Sequence, residues 1–107
     1  MNLEIPLLQF REEMKMEKYY LQNENVITFP IDNGESLHNL DNDSYYSIDS
    51  GVSTMIWDNL DGSNSIECLK KELSKIFNVD YETISLDVDE FIEKLLNYDL
   101  ITLLESK

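Results

Sequence analysis

Asp87, Glu90 and Lys94 stand three and four residues apart and run beside Val88, Phe91 and Leu95. On a helix that spacing sets a charged stripe along an apolar one. Such a helix suits the wall of a binding groove with an apolar floor and a charged rim, although Asp87 and Glu90 also fit the wet side of an ordinary helix. Groups that break bonds are missing. His38 is the sole histidine and Cys68 the sole cysteine. No nucleophile-and-base pattern joins His38 to a Ser or Cys, and no second His or paired Cys completes a metal set. Neither a catalytic constellation nor a metal or other cofactor is therefore expected. Twenty-two Asp and Glu residues make spaced carboxylate pairs a matter of chance, so they identify no glycosidase-type site.

Composition narrows the partners. Twenty-two acidic residues against eight basic ones give a formal net charge of −14, which repels phosphate backbones, so nucleic acid is not an expected partner. A lone cysteine cannot close an internal disulfide, and the longest apolar run near the start, Ile5 to Leu8, is too short for a signal or membrane segment. A soluble cytoplasmic protein with no membrane partner is expected. At 107 residues the chain is one domain, large enough for one real core.

The elements that hold these residues follow from periodicity. Ile27, Phe29 and Ile31 alternate on one side of a strand, with Pro30 placing it at an edge or ending it. Asp32-Asn33-Gly34 is hairpin punctuation, ESLHNL is a second strand, and Asp41 to Ser44 turns into a third, SYYSI. The first half thus reads as a three-stranded antiparallel meander, 25–48. Val52, Met55, Ile56 and Leu60 then recur at helical spacing, with Asp49 as N-cap and Asp61-Gly62 as the stop. Ser65 caps a second helix carrying Ile66, Leu69, Leu73, Ile76 and Phe77. Asp80 caps a third, with Ile84, Val88, Phe91, Ile92 and Leu95. Leu100 to Leu104 is a short strand or packed coil. Trp57 reads as core, and Cys68, at the margin of the second apolar stripe, as a small buried hydrophobe.

Three strands then three helices is compatible with a winged helix-turn-helix, an α+β arrangement. The would-be reading helix, however, carries Glu82, Asp87, Asp89, Glu90, Glu93 and Asp99 against Lys94 alone, so the shape can persist without a nucleic-acid role.

Tyr45-Tyr46-Ser47-Ile48-Asp49, Ile56-Trp57, Leu60-Asp61-Gly62, Phe77-Asn78-Val79-Asp80, Asp87-Val88 with Phe91-Ile92 and Leu95, and Leu100-Ile101 come in an order that resembles the PqqD-like family. These are the leader-peptide-binding domains also called RiPP recognition elements. The resemblance covers roughly 25–104 and divides the chain into an N-terminal arm, 1–18, and the domain proper, 19–107. It implies a three-stranded sheet against three helices and no catalytic activity. It also implies a groove in which the leader of a ribosomally made precursor peptide lies as an added strand, antiparallel to the third strand and walled by the third helix. Its partners would be that leader and a maturation enzyme: a radical SAM protein, a cyclase, or a leader peptidase as in lasso-peptide pathways. Carried onto this chain, the peptide-binding residues are Tyr45, Tyr46, Ser47 and Ile48 on the strand and Asp87, Glu90, Phe91 and Lys94 on the helix. Tyr45 and Tyr46 are equally compatible with plain sheet packing. Asp99 replaces the usual Gly before the terminal apolar pair, and Tyr81 the Pro often found at the start of the third helix; Asp tolerates a left-handed cap and Tyr still permits a helix.

Such a site obeys simple arithmetic. Four main-chain bonds at about 1 kcal/mol net roughly cancel an association cost of at least about 4 kcal/mol. Two apolar anchors buried for about 2 kcal/mol each bring a micromolar complex within reach. Apolar anchors are therefore expected in the leader, and the acidic rim adds an expected Lys or Arg. Leu3-x-x-Pro6-x-Leu8 resembles the leader motif of lasso-peptide precursors, with Leu3 in place of an aromatic residue; the alternative for this segment is a frayed arm or a short helix packing Leu7, Leu8 and Phe10. The alternative for the whole chain is an acidic winged-helix adaptor or regulatory module that binds another protein.

Overall fold

The turns set the strands. The computed structural model describes residues 17–104, and in it β1 (Tyr19–Gln22) is followed by β2 (Val26–Ile31), β3 (Gly34–Asn39) and β4 (Ser44–Asp49). The last three form an antiparallel meander in the order β2-β3-β4, so β2 and β4 are its two edges. Ile31 pairs with Gly34, which leaves only Asp32 and Asn33 in the first turn, and the positive φ, 151°, falls on Gly34. After β4 come α1 (Val52–Asp58), β5 (Asp61–Ser65), α2 (Ile66–Phe77), α3 (Tyr81–Asn97) and β6 (Ile101–Leu104). The described residues thus form the expected α+β assembly, in which a three-stranded antiparallel sheet is followed by three helices.

A second small sheet, β5-β1-β6, was not expected. Asp61–Ser65 is polar throughout and carries Gly62, so it has neither the alternation nor the residue types of a strand. Its conformation is imposed by β1, where Tyr19 pairs with Ser65 and Leu21 with Asp61. β1 also pairs with β6, which settles Ile101–Leu104 as a strand. Of the expected N-terminal arm, residues 1–16, with the Leu3, Pro6 and Leu8 spacing, lie outside the described residues. Lys18 is tied down: its carbonyl accepts the Ile66 N–H at 2.8 Å.

Helical periodicity identifies most of the core. Ile84, Val88, Ile92 and Leu95 form the inner stripe of α3, each worth about 1.5–3 kcal/mol of burial. They meet Ile66, Leu69 and Leu73 of α2, Ile56 and Trp57 of α1, and Leu37 and Ile48 of the sheet in one continuous cluster. The Ser65 hydroxyl caps α2 by accepting the Cys68 N–H at 3.1 Å. Asp49, expected to cap α1, instead ends β4, and Gly51 is the N-cap. Ile76 and Cys68, both expected inside, are exposed. Ile66, Leu69 and Leu73 fill the inner arc of α2, and Cys68, two positions from Ile66 and one from Leu69, is rotated out of it. Lys70 takes an inward position instead, its ammonium held 2.8 Å from Asp89 across the α2–α3 seam.

Ile27, Phe29 and Ile31 do share one side of β2, but it is the outer one, and all three are more than two-fifths exposed. The inward position between them belongs to Thr28, whose hydroxyl accepts the indole N–H of buried Trp57 at 3.1 Å.

The end of α3 is a left-handed cap. Asp99 sits at φ 59°, its N–H donates to the Leu96 carbonyl, and the Leu100 N–H reaches back to Leu95 at 2.9 Å. Gly at this position avoids the left-handed cost of a side chain. Asp99→Gly is therefore expected to stabilise the fold by about 0.5–1 kcal/mol in urea titrations, since no side-chain bond of Asp99 is lost among the described residues. Among the described residues no helix is long and apolar enough to cross a membrane.

Candidate binding groove

The hydrogen-bond ladder decides which face of β4 is open. The Ser50 N–H donates to the Asn33 carbonyl at 2.8 Å, one step beyond the Gly34–Asp49 pair. In an antiparallel ladder bonded and non-bonded pairs alternate, so Ile48, Tyr46 and Ser44 are the residues bonded to β3. The N–H and C=O groups of Tyr45, Ser47 and Asp49 consequently point away from β3, toward an edge that no strand among the described residues covers. The same count on the other edge, anchored by the Leu40 N–H bond to Asn25, makes Ile27, Phe29 and Ile31 the bonded residues of β2. Pro30 then falls where its missing N–H costs no ladder bond, and it denies a donor to anything approaching β2.

β4 faces α3 across a groove of about 440 Å³. Its strand wall is Tyr45 through Asp49; Leu37, Leu95 and Leu100 supply apolar floor; Phe91, Lys94 and Tyr98 form the helix wall. Phe91 is followed at i+3 by Lys94 and at i+7 by Tyr98, so the three share one helical stripe. Two contacts fix how the helix lies against the strand. The Tyr98 ring stacks on Tyr46 with centroids 4.5 Å apart. Buried Asn39, at the end of β3, extends its amide N–H group toward the carbonyls of Tyr98 and Asp99, each 3.5 Å away. The C-terminal end of α3 is thereby pinned beside the start of β4, and both stacked tyrosines line the groove.

Of the eight residues singled out in the sequence, six come together here: Tyr45, Tyr46, Ser47, Ile48, Phe91 and Lys94. Asp87 and Glu90 are exposed and stand outside the lining. The charges that do line it are Lys94 and Asp49. Periodicity finds a stripe on a helix but not how far along that stripe the opposite wall extends. Sequence reasoning also missed Tyr98, which lies one residue past the helix and outside the apolar pattern that marked the wall. His38 stacks on Tyr45 at 4.0 Å and bonds Asp43 at 2.8 Å, on the outer face of the sheet. Among the described residues no group of three or more His, Cys, Asp or Glu could hold a metal ion.

On β3, Glu35 pairs with Ile48, and its buried Oε1 has no hydrogen-bond partner among the described residues. Burial raises its carboxyl pKa, and the negative charge of the neighbouring Asp58 raises it further. Protons therefore bind the folded state more tightly than the unfolded one. The stability Glu35 contributes is fully present below its unfolded pKa and is lost as pH rises through the raised folded value. Glu35→Gln is expected to be more stable than the parent at neutral pH, with the gap in urea midpoints closing as the pH falls into the carboxylate range.

An edge strand beside an apolar groove is the arrangement by which a sheet can take up an extended chain and bury its alternate side chains. A sequence model of the family described as coenzyme PQQ synthesis protein D (PqqD) matches residues 37–101, from the middle of β3 to the start of β6. The chain belongs to that family. Among solved structures it is similar to TbiB1 in complex with the TbiA(beta) leader peptide, with a TM-score of 0.71 and 23% sequence identity. That similarity covers 80% of this chain and 99% of the other and concerns the fold. No curated protein matches.

Proposed function

We propose that this chain is a non-catalytic peptide chaperone. It takes the leader of a ribosomally made precursor peptide as a strand antiparallel to β4, with α3 as the opposite wall, and presents the remainder to a modifying enzyme or leader peptidase. The observation that carries this reading is the parity of β4: the N–H and C=O groups of Tyr45, Ser47 and Asp49, unpaired among the described residues, open beside an apolar groove. Membership of the PqqD family supports it, as does a shared fold with TbiB1, which was solved with a leader peptide. We place this role in the cytoplasm, which suits a single exposed thiol.

The parity also sets what the leader must look like. Residues of the added strand opposite Tyr45, Ser47 and Asp49 form its main-chain bonds. Those opposite Tyr46 and Ile48 point to the inner side, toward α3, so the apolar anchors stand two residues apart. Titration of a synthetic peptide with two apolar residues at alternate positions into isotopically labelled protein tests the reading. Amide shifts are expected along Tyr45–Asp49 and at Phe91 to Tyr98. Binding that perturbs only the outer sheet face or α2 would reject it.

A further inference from the structure

We infer that Lys94 selects leaders carrying an acidic residue beside their apolar anchors. The inference deepens the strand-addition reading and rests on it. From Tyr19 to Leu69 the sequence has no Lys or Arg, and from Ile76 to Ser106 only Lys94. Every strand of the meander and the whole of α3 thus contribute one cation, and it lies in the groove, between Phe91 and Tyr98 on the helix wall.

Lys94 has one candidate partner on its own helix. Glu90 is four residues before it, the orientation that best supports a pair on a helix surface. Among the described residues, however, Lys94 makes no salt bridge; the two that occur are His38–Asp43 and Lys70–Asp89. Its ammonium is left for whatever occupies the groove.

The charge of the chain makes that preference local. A net charge of −14 repels an acidic peptide at a distance, but that field is screened beyond about 8 Å in physiological salt. A carboxylate seated against Lys94 gains a contact pair as the strand excludes water around it. A Lys or Arg in the same place meets a like charge and loses its own hydration. The acidic side chain must share the inward parity of the anchors, because the alternate residues point to the outer face. This reverses the expectation of a basic leader drawn from Asp87 and Glu90, which lie outside the groove.

Selection of short random peptides from a display library on the purified protein, on Lys94→Glu and on Lys94→Gln tests the inference. On the parent, enriched peptides are expected to carry two apolar residues spaced by two, with Asp or Glu at an inward position. Replacing that acid by its amide in a synthetic peptide is expected to weaken binding about 3- to 10-fold. Lys94→Glu should exchange the acidic preference for a basic one, and Lys94→Gln should have neither. A role for Lys94 confined to the end of α3 would leave the enriched sequences alike in all three proteins, and that result would overturn the inference. Enriched peptides without the apolar spacing, or none at all on a protein whose melting curve is cooperative, would overturn the strand-addition reading itself. Lys94 is exposed, so both variants are expected to fold.

Discussion

Ser47→Pro is expected to weaken leader binding at least tenfold while the domain stays folded. Ser47 pairs with Ser36 in the non-bonded position of the ladder, so its N–H is not used by β3. Proline removes that one donor and sets its ring on the edge where the added strand must come within hydrogen-bonding distance. Losing one main-chain bond costs about 1 kcal/mol, and the ring prevents the neighbouring bonds from reaching their length. Together these exceed the 1.4 kcal/mol that corresponds to about a factor of ten. Stability should fall far less, by about 1 kcal/mol, because the residue is exposed and proline's φ is within reach of an edge strand. The chain already contains this device on its other edge, where Pro30 takes the equivalent parity in β2. Ser47→Ala is the control: it keeps the N–H and should bind like the parent by calorimetry. Equal affinity for Ser47→Pro and the parent would mean that the peptide does not add to β4.

The expected opening of this edge was legible in the sequence only through the resemblance; the residues themselves located a strand. Helices were the clearest elements, because Ile84, Val88, Ile92 and Leu95 can be buried together in no other conformation. Ser65 was legible as a cap because its hydroxyl acts within one turn. Side choice was not. Period-two alternation says that Ile27, Phe29 and Ile31 share a face, but which face turns inward depends on Trp57, twenty-six residues past Ile31, claiming the Thr28 hydroxyl. β5 was invisible for a related reason, since its pairing with β1 is a property of the assembled fold and not of its five polar residues. The parity of Ser47 depends on register through two turns, of which only the first announced itself, in Asp32-Asn33-Gly34. The charged residues divided along the same line: Lys94 lines the groove, and Asp87 and Glu90 are exposed outside it.

Gly34→Ala is expected to damage both the fold and the groove. A Cβ at Gly34 would stand 1.9 Å from the carbonyl oxygen of Ile48 and 2.9 Å from its carbonyl carbon. Both are backbone atoms, so no side-chain rotation relieves the overlap; β4 itself has to move. The φ of 151° adds strain that only glycine escapes. Together these place the substitution among the severe backbone lesions, with an expected loss of about 3 kcal/mol or more in urea-derived stability. The functional consequence is more specific. Ile48 sits in the strand wall, between the outward-facing groups of Ser47 and Asp49. Displacing its carbonyl breaks the bonded Glu35–Ile48 pair and turns both neighbours off the line on which an added strand would lie. Leader affinity is therefore expected to fall in Gly34→Ala even under conditions where the protein remains fully folded, such as low temperature with a stabilising osmolyte. Asp99→Gly, introduced in the same chain, should restore part of the stability, because the two positions are far apart and their effects should add. It should not restore binding. If affinity returns along with stability, the loss reflected unfolding alone, and the line of β4 matters less to the peptide than the ladder implies.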